Sequence, residues 1–348
     1  MPGLCRFTPQ YYAVKARIEG NFVTLGTEGL SLYEQSGFGR PHKDGIRLSA
    51  VEAVYLVYRG RIEVPNHQFD SLLVQFSEDA HFLRSFMVYR DLRERGYVVQ
   101  TGPMDFRVFR RGEKPGKGES LYMVRVLSER DLIDFSRIRE DVRATANMRK
   151  LHVLAVVDDE FELTYYEVKI QKPAPINLQE VLSPVTGILS SRSVIIRSPP
   201  ESAYEEAFYG KRFDDERIVL STVESVFLME QGLLRIEQEG KEISSSAFRD
   251  LIRESDADLE NKLAVYQHLR SLHYIPKTGY KFGHHFRVYL GRKVHSEMLV
   301  QAIAAGTTLP MNGISRSVRL AHSVKKKMLF GCIHDEGIAY VEFARIKL

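Results

Sequence analysis

The sequence predicts a mixed α+β (α/β) protein built as a tandem duplication, in which each of two copies contains two modules. Three observations predict it: five pairs of segments match in the same order, strand and helix patterns alternate within each copy, and closely spaced prolines separate the copies. The matching segments are SLYEQSGFGR (31–40) with SAYEEAFYGK (202–211), LSAVEAVYL (48–56) with LSTVESVFL (220–228), YRDLRERGYVVQTG (89–102) with YQHLRSLHYIPKTG (266–279), FRVF (106–109) with FRVY (286–289), and EDVRATANMRKLHVLAVVDDE (140–160) with RSVRLAHSVKKKMLFGCIHDE (316–336). Chance similarity does not keep order in this way.

The first module of each copy is predicted to hold short strands followed by a helix. Ser49 and Ser221 are suited to cap that helix, and Glu52 and Glu224 occupy its third position. Serine followed three residues later by glutamate is the capping-box pattern, in which each side chain pairs with the other's backbone N–H. The sequence therefore predicts equivalent helix starts in the two copies.

The later module is predicted to form a mixed central sheet flanked by helices. It begins with a helix around 80–95 in the first copy and 258–272 in the second, followed by a TG turn. Strand, strand, helix, strand and strand then follow. In the second copy these are HFRVY, HSEMLVQAI, a helix from about Ser315 to Lys326, KMLFGCI, and IAYVEFARI after the turn HDEG.

The proline-rich segment QKPAP at 171–175 is the natural joint between the copies, since such prolines stop regular structure. Together with the repeat, it divides the chain into four predicted modules. The boundaries are 1–82 and 83–172 in the first copy, and 173–257 and 258–348 in the second.

Composition excludes several classes of protein. The 348 residues are 44% hydrophobic and 27% charged, as in ordinary globular proteins. No apolar run approaches the roughly 20 residues of a membrane helix, and the N-terminus lacks a hydrophobic signal core, so we expect a cytoplasmic protein without a membrane partner. Cys5 and Cys332 form no disulfide framework and are expected to be reduced, buried thiols.

Positive charge is concentrated near the end of the chain. The net charge is only +4, but residues 277–293 and 316–327 carry Lys, Arg and His almost without acids. In the predicted helix, Arg319, His322 and Lys326 share one face. Clusters of this kind suit a phosphate-rich partner, and on charge alone a solvated surface is an equal alternative.

The two copies differ at residues that could carry chemistry. Tyr289, His295 and Arg345 of the second copy correspond to a phenylalanine, a glutamate and an isoleucine in the first, whereas Lys326 and Arg319 keep their counterparts. The first-copy residues are Phe109, Glu119, Ile170, Lys150 and Arg143. The joint loss of phenol, imidazole and guanidinium favours a degenerated site in the first copy over three unrelated changes.

A tyrosine, a histidine and a lysine without a carboxylate cluster suit RNA cleavage without a metal. A base takes the proton of the 2′-hydroxyl, an acid protonates the leaving 5′-oxygen, and a cation stabilises the charge on phosphorus. A phenol is an awkward base, because only about one in a thousand is ionised at pH 7, but clustered cations favour its anion. Glu297 beside His295, and the pair His284 and His285, are weak metal-ligand candidates.

The segments GYKFGHHFRVY, HSEMLV and ISRSVRLAHSVKKKMLFG resemble the signature segments of the archaeal tRNA-splicing endonuclease. The duplication resembles the homodimeric class, whose subunit fuses an inactive nuclease-like module to an active one. The resemblance implies a metal-independent, cofactor-free enzyme that removes introns from precursor tRNA. It implies cleavage at bulge–helix–bulge sites that leaves 2′,3′-cyclic phosphate and 5′-hydroxyl ends.

The resemblance also assigns roles by position. Tyr289 matches the general base, His295 the general acid, and Lys326 the lysine that stabilises the transition state. Arg319 and Arg345 match a pair of arginines that clamp a flipped bulge base. His322 and Lys325, on the same basic segment, are further candidates for RNA binding. The acidic turns are candidates for docking a second subunit, through Asp158, Asp159 and Glu160 in the first copy and Asp335 and Glu336 in the second.

Two other functions stay open. A non-catalytic RNA-binding or assembly subunit would keep the fold, although intact Tyr289, His295 and Lys326 count against it. A metal-dependent nuclease built around the histidines is disfavoured by the missing carboxylates.

Overall fold

The computed structural model describes residues 13–177, 181–198, 202–291, 293 and 295–348. Cys5, expected to be a reduced thiol, lies outside the described residues. Cys332 is a buried free thiol, as predicted, and burial raises its pKa to about 12. Within the described ranges, no helix has both the length and the apolar character needed to cross a membrane.

The first module of the first copy is a five-stranded sheet with three helices. Its strands follow the order β3-β4-β2-β1-β5, with β1 and β5 parallel. The elements are β1 (Val14–Glu19), β2 (Phe22–Leu25), α1 (Leu30–Ser36), β3 (Arg40–His42), β4 (Gly45–Ser49), α2 (Ala50–Tyr58), β5 (Ile62–Glu63) and α3 (Phe69–Phe76).

The later module of the first copy begins with a long helix, followed by strands and a second long helix. The elements are α4 (Phe82–Glu94), β6 (Val99–Thr101), β7 (Phe106–Phe109), β8 (Ser120–Ser128), β9 (Leu132–Asp134), α5 (Phe135–Asn147), β10 (Leu151–Val157) and β11 (Leu163–Gln171).

The second copy repeats this plan. Its first module has a six-stranded sheet in the order β14-β15-β13-β12-β16-β17. The elements are β12 (Val185–Ser190), β13 (Ser193–Arg197), α6 (Ala203–Glu206), β14 (Lys211–Arg212), β15 (Arg217–Leu220), α7 (Thr222–Glu230), β16 (Leu234–Gln238), β17 (Lys241–Ile243) and α8 (Ser245–Arg253). Those of its later module are α9 (Leu259–Ser271), β18 (Ile275–Thr278), β19 (Phe286–Tyr289), β20 (Met298–Ile303), β21 (Thr308–Pro310), α10 (Met311–Ser323), β22 (Lys327–His334) and β23 (Gly337–Ile346).

The mixed α+β class, the duplication and the two capping boxes are confirmed. Ser49 accepts a hydrogen bond from the backbone of Glu52 and Glu52 accepts one from Ser49, and Ser221 and Glu224 do the same. Local side-chain chemistry therefore fixes the same helix start in both copies. The matching helices and strands of the two copies do not determine where each module begins and ends, so the four module boundaries stay predictions.

The later modules of the two copies share one ten-stranded sheet, in the order β18-β19-β20-β22-β23-β11-β10-β8-β7-β6. At its centre, β11 and β23 pair antiparallel, with Val168 opposite Phe343. On either side, β8 with β10 and β20 with β22 are parallel. The two halves of the sheet are thus related by an approximate two-fold axis through the β11–β23 pair.

Helices cover both faces of this sheet. On one face α4 and α9 pack in separate cores, each of which also includes the first module of its own copy. On the other face α5 and α10 share one core, which includes Phe135 from the first copy and Phe330 and Phe343 from the second. A short β9–β21 ribbon joins the copies again. The copies are therefore held together by one continuous hydrophobic core.

A buried histidine in this sheet makes stability depend on pH. His152 is 2% exposed, and burial, together with the charge of Arg125, lowers its pKa to about 4. Between about pH 6.5 and 4 the unfolded chain binds a proton that the folded chain does not. Stability contributed by neutral His152 is therefore present above about pH 6.5 and lost as the pH falls towards 4.

We expect this one group to lower the free energy of unfolding by about 2 kcal/mol between pH 7 and pH 5. The second copy has the equally buried Met328 at the matching position, so His152→Met is the natural comparison. Urea unfolding at both pH values measures the difference. A variant whose stability changes with pH as much as the parent chain's would contradict the assignment.

Candidate active site

The predicted catalytic residues lie at one end of the shared sheet. Tyr289 is the last residue of β19, while His295 comes shortly before β20 and Lys326 directly before β22. Because β19 runs antiparallel to β20, and β20 runs parallel to β22, the end of β19 and the starts of the other two strands meet at the same edge. The topology therefore brings the three residues together.

Lys326 is held by the way helix α10 ends. The sequence predicted a helix continuing to Lys326, and this is wrong: α10 runs from Met311 to Ser323. Lys325 adopts the left-handed conformation, with φ of 55°, and the backbone N–H of Lys326 donates to the carbonyl of Ala321 at 2.8 Å. A residue at positive φ ends a helix and redirects the chain. Lys326 consequently lies in a turn rather than on the basic helix face.

The ammonium of Lys326 is tied to the segment that carries His295. Its Nζ donates to the carbonyl oxygen of Ser296, the residue after His295, at 2.5 Å, and lies 5.9 Å from the ring centre of Phe282. Burial, then the charges of Lys281 and Arg287, lower the pKa of Lys326. The site thus concentrates positive charge that an approaching phosphate would neutralise.

Tyr289 and His295 differ in exposure. The Tyr289 side chain is half-buried, and the guanidinium carbon of Arg287, two residues earlier on the same face of β19, lies 5.8 Å from its ring centre. The His295 ring is exposed. The sequence predicted that a strand starts at HSEMLV, but β20 begins only at Met298, so His295 belongs to the preceding loop.

The predicted RNA-clamping arginines lie on the α10 side of the same sheet edge. Leu329 pairs with Glu342, and continuing that register places Arg345 opposite Lys326. Arg345 also pairs with Tyr166 of the first copy. Both Arg345 and Arg319 are exposed. The register thus places Arg345 beside Lys326, while Arg319 lies on the helix that covers this face.

Arg319 lines a small cavity that crosses between the two copies. The cavity has a volume of about 240 Å³, and its walls include Arg316 and Arg319 of α10 and Asp158 and Tyr166 of the first copy. His322, one turn after Arg319, and Lys325 are exposed at the end of α10. Arg316 and Arg319 of α10 therefore face the acidic turn of the other copy, while the end of the helix is open to solvent.

Two acids of the first copy's turn already make contacts within the chain. The Asp158 carboxylate accepts the backbone N–H groups of Glu160 and Glu162 at 3.0 and 2.9 Å, which shapes its own turn, while Asp159 forms an ion pair with Arg130. Glu160 is exposed. Docking of a second subunit by this turn stays a prediction. Asp159 and Glu160 are its main candidates, because the carboxylate of Asp158 shapes the turn itself.

The turn of the second copy, with Asp335 and Glu336 both exposed, lies near helix α5 of the first copy. Burial and the neighbouring Arg139 guanidinium lower the pKa of His334, against the opposing charges of the two acids. Each acidic turn thus lies close to the basic helix of the other copy.

The corresponding region of the first copy keeps the lysine–carbonyl contact but has other side chains at the positions of Tyr289 and His295. Phe109 is buried and Glu119 is exposed. Lys150 still donates to the carbonyl of Ser120 at 2.9 Å, and Arg149 has the same left-handed conformation as Lys325, with φ of 56°. The lysine–carbonyl contact is therefore a feature of the scaffold as well as of the site.

Sequence reasoning missed Arg287 and Ser296. Both have identical counterparts in the first copy, Arg107 and Ser120, and the comparison between copies drew attention only to residues that differ. The retained pairing of a serine with a lysine thirty residues later could have found Ser296, and the two-residue period of HFRVY, which places Arg287 on the face of Tyr289, could have found Arg287. Within the described residues, no group of three or more His, Cys, Asp or Glu is arranged to hold a metal ion.

Family models match both copies. The model of the tRNA intron endonuclease catalytic C-terminal domain matches residues 82–165 and 259–340, and that of the tRNA intron endonuclease N-terminal domain matches 14–73 and 185–249. The chain belongs to the tRNA intron endonuclease family. The duplicated pair of domains agrees with the internal repeat, and the resemblance drawn from the motifs of the second copy is confirmed.

Archaeal proteins named tRNA-splicing endonuclease are similar over the full length. The protein of Methanosarcina acetivorans is 38% identical, that of Methanosarcina barkeri 36%, and that of Natronomonas pharaonis 32%. Each alignment covers 96% of this chain and 99 to 100% of the relative. The two-copy architecture of this tRNA intron endonuclease family member therefore extends along the whole length of these relatives.

Proposed function

We propose that the protein removes introns from precursor tRNA by metal-independent cleavage at bulge–helix–bulge sites. The products would carry 2′,3′-cyclic phosphate and 5′-hydroxyl ends. The observation that carries the proposal is the meeting of Tyr289, His295 and Lys326 at one edge of the second copy's half of the sheet. Family membership supplies the class of substrate.

These side chains can supply every group that the reaction needs. Tyr289 takes the proton of the 2′-hydroxyl, whose oxygen attacks the adjacent phosphorus and closes the cyclic phosphate. His295 gives a proton to the departing 5′-oxygen, and imidazole is the natural acid near neutral pH. Lys326 stabilises the charge on the phosphoryl oxygens. Arg287 adds positive charge beside the Tyr289 ring, where the phosphate would approach.

The test is direct. The purified full-length chain is incubated with a bulge–helix–bulge RNA in the presence of EDTA, and both product ends are mapped. We expect one cut in each bulge, with cyclic phosphate and 5′-hydroxyl ends. Loss of cleavage in EDTA, restored by a divalent cation, would replace the proposal with a metal-dependent nuclease. RNA binding without cleavage in either condition would indicate a non-catalytic subunit.

The proposal includes a homodimer, because intron removal needs two cuts and each chain offers one complete site. We expect Asp159→Lys with Glu160→Lys to weaken this dimer by placing positive charge where the exposed acidic turn would meet a basic surface. Sedimentation equilibrium should show a mass near that of the 40.0 kDa chain instead of twice that value.

Arg130→Ala is the control for this experiment. It removes the ion pair to Asp159 without reversing the charge of the turn. We expect it to leave the mass unchanged. If the charge-reversed chain still sediments as a dimer, the turn does not dock. If Arg130→Ala dissociates the dimer equally, the shape of the turn rather than its charge is what matters.

A further inference from the structure

The first copy contains a cleft that has no assigned role. It lies between the first module and the edge of the shared sheet and has a volume of about 440 Å³. Arg40, Arg47 and Arg107 line it, from strands β3, β4 and β7, together with Phe22 and Glu52. Arg107 is two residues from Phe109, so the cleft adjoins the position that corresponds to Tyr289.

The three arginines are held in place without being neutralised. Arg40 donates to the carbonyl of Thr101 at 2.8 Å, and the Arg47 guanidinium lies 4.6 Å from the ring centre of Phe22, which is 43% exposed. The buried Nε of Arg107 has no hydrogen-bond partner among the described residues. Within the described residues, none of these three arginines forms an ion pair with a carboxylate.

Glu52, the acid that lines the cleft, already accepts hydrogen bonds from the backbone. Glu52 is 2% exposed, and its carboxylate accepts the backbone N–H groups of Gly39 and Ser49 at 2.8 and 2.9 Å. Burial raises the pKa of Glu52. Its carboxylate is therefore buried and already bound by backbone donors, which leaves the cleft with a surplus of exposed positive charge.

The second copy arranges its charge differently. Its buried Glu224 pairs with Lys277 at 2.5 Å, whereas the residue matching Lys277 in the first copy is the neutral Gln100. The position of Arg47 is Val219 in the second copy. The first copy thus lacks the lysine that pairs with the buried glutamate and has an exposed arginine where the other copy has valine. Arg40 and Arg107 have the basic counterparts Lys211 and Arg287, so Arg47 is the arginine that the shared fold does not require.

We propose that this arginine cleft binds the phosphodiester backbone of the RNA substrate at a place separate from the scissile bonds. Guanidinium groups match phosphate oxygens with two parallel hydrogen bonds, and an exposed ring beneath Arg47 offers a surface for base stacking. The inactive copy is then an RNA-binding half of the enzyme. The inference rests on the proposed function, since it requires RNA as the substrate.

The experiment compares a full-length double variant, which carries both Arg40→Ala and Arg47→Ala, with the parent chain. A precursor tRNA carrying an intron is the probe, and KM, kcat and the salt dependence of binding are measured. We expect KM to rise roughly 10- to 100-fold with kcat unchanged, because ionic hydrogen bonds to phosphate are lost far from the reacting atoms. The slope of log affinity against log salt should fall by about two.

Three further variants and a measurement of stability serve as controls. Arg40→Lys with Arg47→Lys keeps the charge and should recover most of the binding. Arg192→Ala with Arg235→Ala, two exposed arginines of the second copy, should leave KM unchanged. Thermal unfolding shows whether loss of the Arg40–Thr101 contact has loosened the fold. Arg47→Ala alone leaves that contact intact and should still raise KM.

The outcomes separate the two proposals. If the parent chain does not cleave RNA, the proposed function fails. If it cleaves, and the arginine variant has the parent's KM and salt dependence, the RNA-binding cleft is rejected. If the variant loses affinity only because its sedimentation mass falls by half, the cleft holds a protein segment, which also overturns the inference.

Discussion

Replacing His295 with alanine is expected to slow RNA cleavage by roughly 10²- to 10⁴-fold, with RNA binding nearly unchanged. His295 is exposed and lies in a loop, so its removal disturbs no packed core. In the proposed mechanism the imidazole protonates the leaving oxygen only as the bond breaks, and its loss should therefore appear in kcat rather than in KM. Single-turnover cleavage and filter binding measure the two effects separately.

The matched control lies in the first copy. Glu119 corresponds to His295 and is also exposed. We expect Glu119→Ala to cleave at the parent rate. A normal rate for His295→Ala would remove it as the general acid, and an equal loss in both variants would point to loop structure instead of proton transfer.

The second large effect is expected at Lys326. Lys326→Ala should lower the cleavage rate by roughly 10²- to 10³-fold, because in the proposed mechanism this cation stabilises the developing phosphoryl charge. The same change also removes the hydrogen bond to the Ser296 carbonyl, so a fall in activity alone would not distinguish chemistry from scaffold. Cleavage rate and thermal unfolding are measured together.

Lys150→Ala resolves this ambiguity, because Lys150 makes the equivalent contact to Ser120 in the first copy. Both alanine variants should lose similar stability, since each loses one hydrogen bond from a charged donor. Only Lys326→Ala should lose activity. Equal activity in the two variants would show that Lys326 acts as a structural residue and not in catalysis.

Local signals made much of the fold predictable. The two capping boxes need only four neighbouring residues, and the structure confirms both. The end of α10 was not predicted, because the polar pattern continues through Lys326 while the chain leaves the helix at Lys325. A positive φ at a lysine has no clear sequence signature, since glycine and asparagine are the usual residues there.

The sequence named candidate residues for the site, and the structure added their geometry. Comparing the copies identified Tyr289 and His295, because loss of a functional group is visible in sequence. The pairing of β11 with β23 is a contact between distant segments, and it decides that Arg345 lies beside Tyr166. Register between strands far apart in sequence depends on the whole packed core, which no single pattern encodes.

The continuous sheet through β11 and β23 has a consequence for how the two copies could diverge. If they were separate chains, an inactive copy and an active copy would associate at random, and many assemblies would contain two inactive halves. Joining them in one chain raises the effective concentration of the correct pair, so every molecule contains one of each. The peptide link near residues 171–175 thus fixes the stoichiometry of the two copies, so a change of side chains in the first copy never alters how many second copies an assembly contains.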